Sequence, residues 1–286
     1  MIAMYGFSPA RVEESFKHYA LYNACVLDIE YEVDPKTDKK RPTKASMAYT
    51  LSLLSTFGKN VAMLGLYMSL FAPTNYEPFE TDADGNQPGY NIRDIFDFNL
   101  FRNNLVSSFV FQMCLSTFSG ALSSAASLIF GVKTAVAMNN PMFESTSPSD
   151  FWGKRWNLII HGALKRGIFK PVYKYSTKTC AIMATFLASG AFHEYLLVAV
   201  FAAEETSPAM GKNTAFMVWN AGIITIESLV GGAFVFQWMK RTLPKPLVTF
   251  LTLSTALPVA HWFIHPYSKT GFFDSAAVAF PMIKEV

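Results

Sequence analysis

Long apolar stretches recur along the chain, and each is interrupted by few or no charged residues. A helix of roughly 20 apolar residues is needed to cross about 30 Å of hydrocarbon. Three stretches are about this long and contain at most two ionisable residues each: 179–203, 215–239 and 247–264. The pattern therefore predicts a protein that crosses a membrane several times.

Two further apolar stretches are less regular. Residues 105–138 contain the single charge Lys133 and are too long for one straight span, which predicts a kinked helix or a span joined to an interfacial segment. Residues 46–72 are interrupted by Gly58-Lys59-Asn60 and predict a bent span. The polar residues 34–44 and 75–91 predict solvated loops, because their composition is typical of turns.

The composition agrees with a membrane protein. Of the 286 residues 51% are hydrophobic and only 16% are charged, against roughly 25% charged in soluble domains. The three cysteines lack metal-ligand spacing, so we expect free thiols and no metal site. The predicted fold is all-α, a multi-pass transmembrane helical bundle with amphipathic interfacial helices. Residues 1–44 would form a soluble or interfacial segment, and residues 45–286 the membrane domain.

The distribution of charge predicts the orientation of the spans. Between residues 151 and 178 there is no acidic residue but seven basic ones: Lys154, Arg155, Lys165, Arg166, Lys170, Lys174 and Lys178. Basic residues that flank a span favour the cytosolic side, although the same face is also suited to binding phosphates. The helix that follows would run away from the cytosol and carry His193 roughly 21 Å into the bilayer.

A helix start precedes this basic run. Ser147 is a good helix-capping residue and Pro148 fits a first helical turn. A continuous helix would place Trp152 and Trp156 on one stripe, with Gly153, Asn157 and His161 on another. Tryptophans beside basic residues are typical of an interfacial anchor. An apolar-facing Asn157 would instead belong to a buried site, where its amide needs a partner. Both interpretations stay open.

Ionisable residues inside the apolar stretches are candidate site residues. His193 and Glu194 lie at membrane depth, where an unneeded charge would be costly, so they indicate a functional site. Neighbours on a helix point about 100° apart, and we therefore expect Glu194 to bind another helix and not to orient His193. Glu227 can be structural or functional. The histidines His161, His261 and His265 are expected at interfaces.

Two motifs in this region resemble a known family. Residues 149–157 (SDFWGKRWN) resemble the signature of the wax synthase branch of the membrane-bound O-acyltransferases, and residues 189–194 (SGAFHE) resemble its intramembrane histidine motif. The likeness covers residues 132–232 best. It departs at Asn220-Ala221, where wax synthases usually have His-Gly.

The resemblance implies an enzyme of the endoplasmic reticulum, or of another organelle membrane. It would transfer a fatty acyl group from acyl-coenzyme A to a lipophilic alcohol and form a wax-ester-like neutral ester. The family's catalytic histidine falls on His193 and its partner asparagine on Asn157. Substrate-binding residues are expected around these two motifs: Trp152, Lys154, Arg155, Trp156 and Glu227. Acyl-coenzyme A is a co-substrate, and we expect no cofactor and no nucleic acid.

The chemistry of ester formation fits these two residues. An alcohol needs a base to take its proton as it attacks a thioester, which is a task for His193. The oxyanion that forms needs a hydrogen-bond donor in a dry site, which Asn157 supplies in this hypothesis. The acceptor stays open among fatty alcohol, sterol and diacylglycerol.

Two hypotheses from other classes also explain polar groups in the membrane. One is a non-catalytic membrane subunit that keeps an acyltransferase-derived scaffold and binds membrane-protein partners in a larger complex. The other is a transporter, but the sequence has no inverted half and no paired broken helices of the kind that such folds contain.

Overall fold

The computed structural model has the predicted all-α architecture. It describes residues 28–33, 40–71, 95–199, 210–230, 238–239 and 241–269. The main helices, in chain order, are α1 (Met47–Phe71), α2 (Phe98–Phe130), α3 (Leu158–Leu164), α4 (Lys170–Tyr175), α5 (Lys178–Ala199), α6 (Lys212–Val230), α7 (Lys245–Leu253) and α8 (His261–Lys269). Shorter helical turns lie at Pro141–Glu144, Pro148–Asp150, Phe151–Arg155, Lys165–Phe169 and Leu257–Val259.

Within the described ranges, α2 and α5 are long and apolar enough to cross a membrane. A third span results if Lys245–Val259 and His261–Lys269, which meet at an angle of 59°, form one broken span. The predicted span at 179–203 is thus confirmed as α5, whereas the stretch at 247–264 is not one straight helix. The chain is an integral membrane protein of helical type, and α1 and α6 add helices that do not meet the same test.

Helix α2 covers most of the stretch 105–138, for which a kinked helix or a span joined to an interfacial segment was predicted. The carboxylate of Asp97 caps its first turn by accepting a hydrogen bond from the Asn99 backbone N–H at 2.7 Å. The helix runs unbroken to Phe130 and ends at Gly131, whose φ of 67° is left-handed. Glycine adopts this conformation without steric cost, which stops the helix at this point. Helix α1 continues through Gly58 without interruption, and the bend predicted there stays a prediction.

A small β-structure joins the N-terminal segment to the helices. Strands β1 (Tyr31–Val33) and β2 (Lys40–Pro42) form an antiparallel hairpin, so the predicted loop 34–44 is in part a strand. Residues on both sides of the hairpin pair with residues 131–135, through bridges from Ile29 to Thr134 and from Lys44 to Val132. The described part of the 1–44 segment is therefore docked on the membrane domain.

Several expectations fall on residues outside the described ranges. They concern the loop 75–91, the last residues of the stretch 179–203, residues 231–237 of the stretch 215–239, and one of the three cysteines, Cys25. The other two cysteines are free thiols as expected, with Cys114 buried and Cys180 exposed.

Among the described helices, α5 and α6 are the pair in most extensive contact. They run antiparallel, and Gly190 faces Thr214 so closely that a Cβ atom on Gly190 would lie 2.7 Å from the Thr214 Cα. Neither the added Cβ nor the Thr214 Cα is the end of a flexible side chain, so the contact can be relieved only if the helices shift. Close contact through a small residue is a common way for membrane helices to pack. It brings the histidine motif of α5 against α6.

We predict that Gly190→Ala destabilises the protein by about 1–3 kcal/mol, the usual cost of an overpacked contact. The matched control is Gly222→Ala on α6, where no described atom lies within 4 Å of the added methyl group. Alanine also favours helix over glycine by about 1 kcal/mol. The measurement is the thermal midpoint of the detergent-solubilised protein. Equal midpoints for the two variants would show that the α5–α6 contact can widen freely.

Candidate active site

The segment that carries the first motif begins as predicted. The Ser147 hydroxyl accepts a hydrogen bond from the Asp150 backbone N–H at 3.2 Å, and Pro148 occupies the first turn. The helix does not continue to His161, however. A π-helical turn at Phe151–Arg155 ends at Trp156, which is extended with φ −90° and ψ 124°. The prediction of one amphipathic helix with two stripes is therefore wrong.

Asn157 causes the break. Its backbone is left-handed, with φ 40° and ψ 61°, a conformation that asparagine tolerates better than most residues. Its side-chain Oδ1 then caps α3 by accepting a hydrogen bond from the Ile160 N–H at 3.4 Å. Because Oδ1 serves the helix, the amide nitrogen Nδ2 is the end of this side chain that can donate to a ligand.

Arg155 holds the turn before this break together. Its Nε donates to Asp150 Oδ2 at 2.7 Å and its guanidinium reaches Glu144 Oε2 at 2.9 Å. The hydrogen bonds from Arg155, and then from Asn140, hold the pKa of Glu144 below its usual value. Burial acts to raise the pKa of Asp150, but the Arg155 and Thr146 hydrogen bonds outweigh it and the pKa is lowered. These contacts are internal to the segment, so substrate binding by Arg155 stays a prediction without a supporting contact.

The two tryptophans of the motif are half-buried and pack against the protein core. Trp152 meets Phe186 edge-on with ring centroids 5.7 Å apart, and Trp156 stacks on Phe151 at 5.3 Å. The indole Nε1 of Trp152 donates to Asn220 Oδ1 at 3.0 Å. Asn220 is only 2% exposed. The position at which the sequence departs from the wax synthase pattern thus serves as the buried acceptor for the motif tryptophan.

Glu227 links α6 to the start of the same segment. Both of its carboxylate oxygens accept hydrogen bonds from Ser149, one from the backbone N–H at 2.7 Å and one from the hydroxyl at 2.8 Å. An acid at the start of a helical turn is favourable because it satisfies free N–H groups. The described contacts of Glu227 therefore give it a structural role at the edge of the site.

His193 contacts α8 through its ring nitrogen and its ring face. Its Nδ1 lies 2.8 Å from the Tyr267 hydroxyl, and the ring of Phe263 meets it edge-on at 4.8 Å. Both of these partners come from α8, and no sequence pattern predicted either contact. The next residue, Glu194, accepts a hydrogen bond from the Thr214 N–H on α6 at 3.1 Å. The expectation that Glu194 binds another helix is confirmed.

A cavity of about 600 Å³ connects these residues. Asn157 and His193 both line it, and so do Trp152, Lys154, Trp156 and Glu227, so that Arg155 alone among the predicted site residues lies outside the lining. Along α5 the lining runs from Lys178 through Ile182 and Phe186 to His193. That is one helix face roughly 22 Å long at helical rise. The cavity combines an apolar wall with the basic residues Lys154, Lys165 and Lys178.

The other described histidines lie inside the protein or at the cavity. His261 and His265 are 2% and 3% exposed, because α8 packs against α2 and α6 after the bend, and their expected position at the membrane interface stays a prediction. His161 lines the cavity. Burial lowers the pKa of His161, and the charge of Lys165 lowers it further, which keeps the ring neutral at pH 7. The described residues contain no cluster of three or more potential metal ligands.

Comparison with known proteins identifies the region that contains these motifs. Residues 135–219 match the membrane bound O-acyl transferase family. The match lies inside the range 132–232 and includes both Asn157 and His193, so the resemblance inferred from the two motifs is confirmed.

Curated relatives come from Arabidopsis thaliana and are named as O-acyltransferases. Probable long-chain-alcohol O-fatty-acyltransferase 3 is 27% identical over 150 residues, which cover 49% of this chain and 42% of the relative. Probable long-chain-alcohol O-fatty-acyltransferase 9 is 33% identical over 42% of this chain and 36% of the relative. Acyl-CoA–sterol O-acyltransferase 1 is 27% identical over 48% and 40%. The chain spans about two fifths of the length of these relatives.

We predict that Trp152 and Asn220 are energetically coupled. Trp152→Phe leaves a buried acceptor unpaired and Asn220→Leu leaves a buried donor unpaired, each at a cost of about 1–3 kcal/mol. The double variant loses both partners together, so its destabilisation should be smaller than the sum by about 0.5–3 kcal/mol. Thermal or denaturant unfolding of the four proteins in detergent measures this coupling. Additive losses would mean that the indole hydrogen bond does not hold the motif.

Proposed function

We propose that this protein is a membrane O-acyltransferase that moves a fatty acyl group from acyl-coenzyme A to a lipophilic alcohol. The observation that carries the proposal is that Asn157 and His193, from two separate motifs, line one cavity with an apolar wall and a basic rim. A thioester with a long chain and a polyphosphate nucleotide has the same combination of apolar and anionic parts. The matched relatives, which are named for transfer to long-chain alcohols and to a sterol, support the reaction class.

His193 acts as the general base in this proposal. Since Nδ1 faces Tyr267, which is not part of the cavity lining, Nε2 is the nitrogen that meets the substrates. It takes the hydroxyl proton while the alcohol oxygen attacks the thioester carbonyl carbon. When the tetrahedral intermediate collapses, the C–S bond breaks and the imidazolium returns the proton to the departing thiolate. The ester and free coenzyme A leave, and no acyl-enzyme forms.

Asn157 supplies the oxyanion donor. Its Oδ1 is committed to the cap of α3, which orients the amide and leaves Nδ2 to donate. A donor that is fixed before the reaction stabilises the developing oxyanion without reorganisation, and a dry cavity strengthens the bond. The helix cap thus prepares the amide for catalysis.

The remaining lining residues divide by chemistry. Lys154, Lys165 and Lys178 are suited to the phosphates of coenzyme A, while Ile182 and Phe186 offer apolar surface to hydrocarbon. Trp152, Trp156 and Glu227 shape the wall between these parts. The acceptor is a fatty alcohol, a sterol or diacylglycerol, and the site operates in the endoplasmic reticulum or another organelle membrane.

The test compares two histidines of the same cavity. His193→Ala should lower ester formation by roughly 100-fold or more, because a positioned base contributes about 10²–10⁴. His161→Ala, which removes a neutral ring from the same lining, should keep most of the turnover. Membranes containing each protein are supplied with acyl-coenzyme A and each of the three acceptors, and esters are quantified by mass spectrometry.

Binding separates a chemical defect from a folding defect. His193→Ala should bind acyl-coenzyme A like the unmodified protein, because the ground-state contacts remain. If the unmodified protein forms no ester from any acceptor and binds acyl-coenzyme A no better than unrelated membranes do, the enzyme proposal fails. The protein would then be a scaffold subunit of a larger membrane complex.

A further inference from the structure

The Tyr267 hydroxyl is the polar partner of the His193 ring on the side away from the cavity. It lies 2.8 Å from Nδ1, and Tyr267 is 4% exposed. We propose that Tyr267 is a positioning residue that fixes the tautomer of His193 with the proton on Nδ1 and the lone pair on Nε2. The catalytic role of Tyr267 rests on the proposed function, but the tautomer of His193 can be measured whether or not the protein forms esters.

The fold brings Tyr267 to this place through the broken helix pair. The chain bends by 59° between the Leu257–Val259 turn and α8, which directs α8 back towards α2 and α6. The Tyr267 ring then packs against Phe263 at 5.3 Å and Phe111 at 5.9 Å between ring centroids. These contacts restrict the ring, so its hydroxyl is presented to His193 in a fixed position.

The tautomer follows from what each ring nitrogen faces. A neutral imidazole has one N–H donor and one acceptor nitrogen, and the bond made by one nitrogen decides the role of the other. Tyrosine oxygen can accept from Nδ1–H or donate to a bare Nδ1. Only the first arrangement leaves a lone pair on Nε2, the nitrogen on the cavity side. A base that works from the cavity therefore requires Tyr267 as the acceptor.

The same contact gains strength during the reaction. As Nε2 takes the alcohol proton the ring becomes a cation, and the bond from Nδ1–H to the tyrosine oxygen becomes charge-assisted, which is roughly twice as strong as a neutral one. A contact that strengthens only along the reaction lowers the barrier and not the binding energy of the substrate. Tyr267 thus acts on turnover through His193 without touching the substrate.

Tyr267→Phe tests the proposal because it removes one oxygen and keeps the ring packing. We expect turnover to fall by roughly 10–100-fold, the usual effect of losing a group that orients an active imidazole. Acyl-coenzyme A binding and the thermal midpoint should change little. The matched control is Tyr49→Phe, which removes a hydroxyl that donates to the Thr134 carbonyl oxygen at 3.3 Å, away from the cavity. This control should keep full turnover.

Nitrogen-15 NMR of histidine-labelled protein in nanodiscs supplies a readout independent of turnover. The His193 signals, assigned by their loss in His193→Gln, should show a protonated Nδ1 and a bare Nε2 in the unmodified protein. In Tyr267→Phe they should move towards the opposite tautomer, and in Tyr49→Phe they should not move. A bare Nδ1 in the unmodified protein, or unchanged His193 signals in Tyr267→Phe, overturns the inference. If the tautomer behaves as expected but the unmodified protein makes no ester, the proposed function fails and the positioning contact stands.

Discussion

The arrangement of the site depends on one backbone feature, the left-handed residue Asn157. The chain leaves the π-helical turn in an extended conformation at Trp156 and re-enters helix directly after Asn157. A residue with positive φ is tolerated here because its side chain caps the helix that follows. In a continuous helix the Asn157 side chain would not cap α3. Its amide would still be able to form hydrogen bonds, but the cap would no longer hold it in one orientation. Because of this break, the segment around Asn157 forms one wall of the cavity and is not a single amphipathic helix.

The opposite wall depends on helix packing. Gly190 lets α5 approach α6 at backbone distance, and Glu194 joins the same pair by accepting from the Thr214 N–H. Along that seam, His193 is turned towards both the cavity and α8. The segment with Asn157 is fastened to α6 at two further places, through Trp152 to Asn220 and through Ser149 to Glu227. The two motifs are therefore held against each other by hydrogen bonds to α6 and not by sequence proximity.

Much of this arrangement could be predicted from sequence, where local rules decide the outcome. The Ser147 cap follows from residue type, α5 follows from an apolar run of sufficient length, and the cross-helix contact of Glu194 follows from helical geometry. The pairing of Asn157 with His193 came from the resemblance of two motifs, and the cavity agrees with it.

The remainder depends on tertiary contacts that leave no local signal. The helical spacing of residues does not predict a left-handed backbone at Asn157, since asparagine also occurs within helices. The inward fold of α8, which buries His261 and His265 and brings Tyr267 to His193, follows from a bend whose angle is set by packing. Likewise, the sequence does not explain why Asn220 stands where wax synthases usually have histidine. The structure shows that Asn220 accepts a hydrogen bond from Trp152.

In the proposed mechanism the two ends of the Asn157 amide have separate tasks, with Oδ1 capping α3 and Nδ2 serving the reaction. Asn157→Asp separates them, because the aspartate keeps the cap acceptor and tolerates the left-handed backbone but replaces the donor with a negative charge. Asn157→Gly is the complement, which keeps the backbone and removes the whole side chain. We predict that ester formation in Asn157→Asp falls by roughly 100-fold or more, as for the loss of one oxyanion donor, while the thermal midpoint of the variant stays near that of the unmodified protein. Near-normal turnover in Asn157→Asp, with loss only in Asn157→Gly, would show that the amide is a helix cap and nothing more.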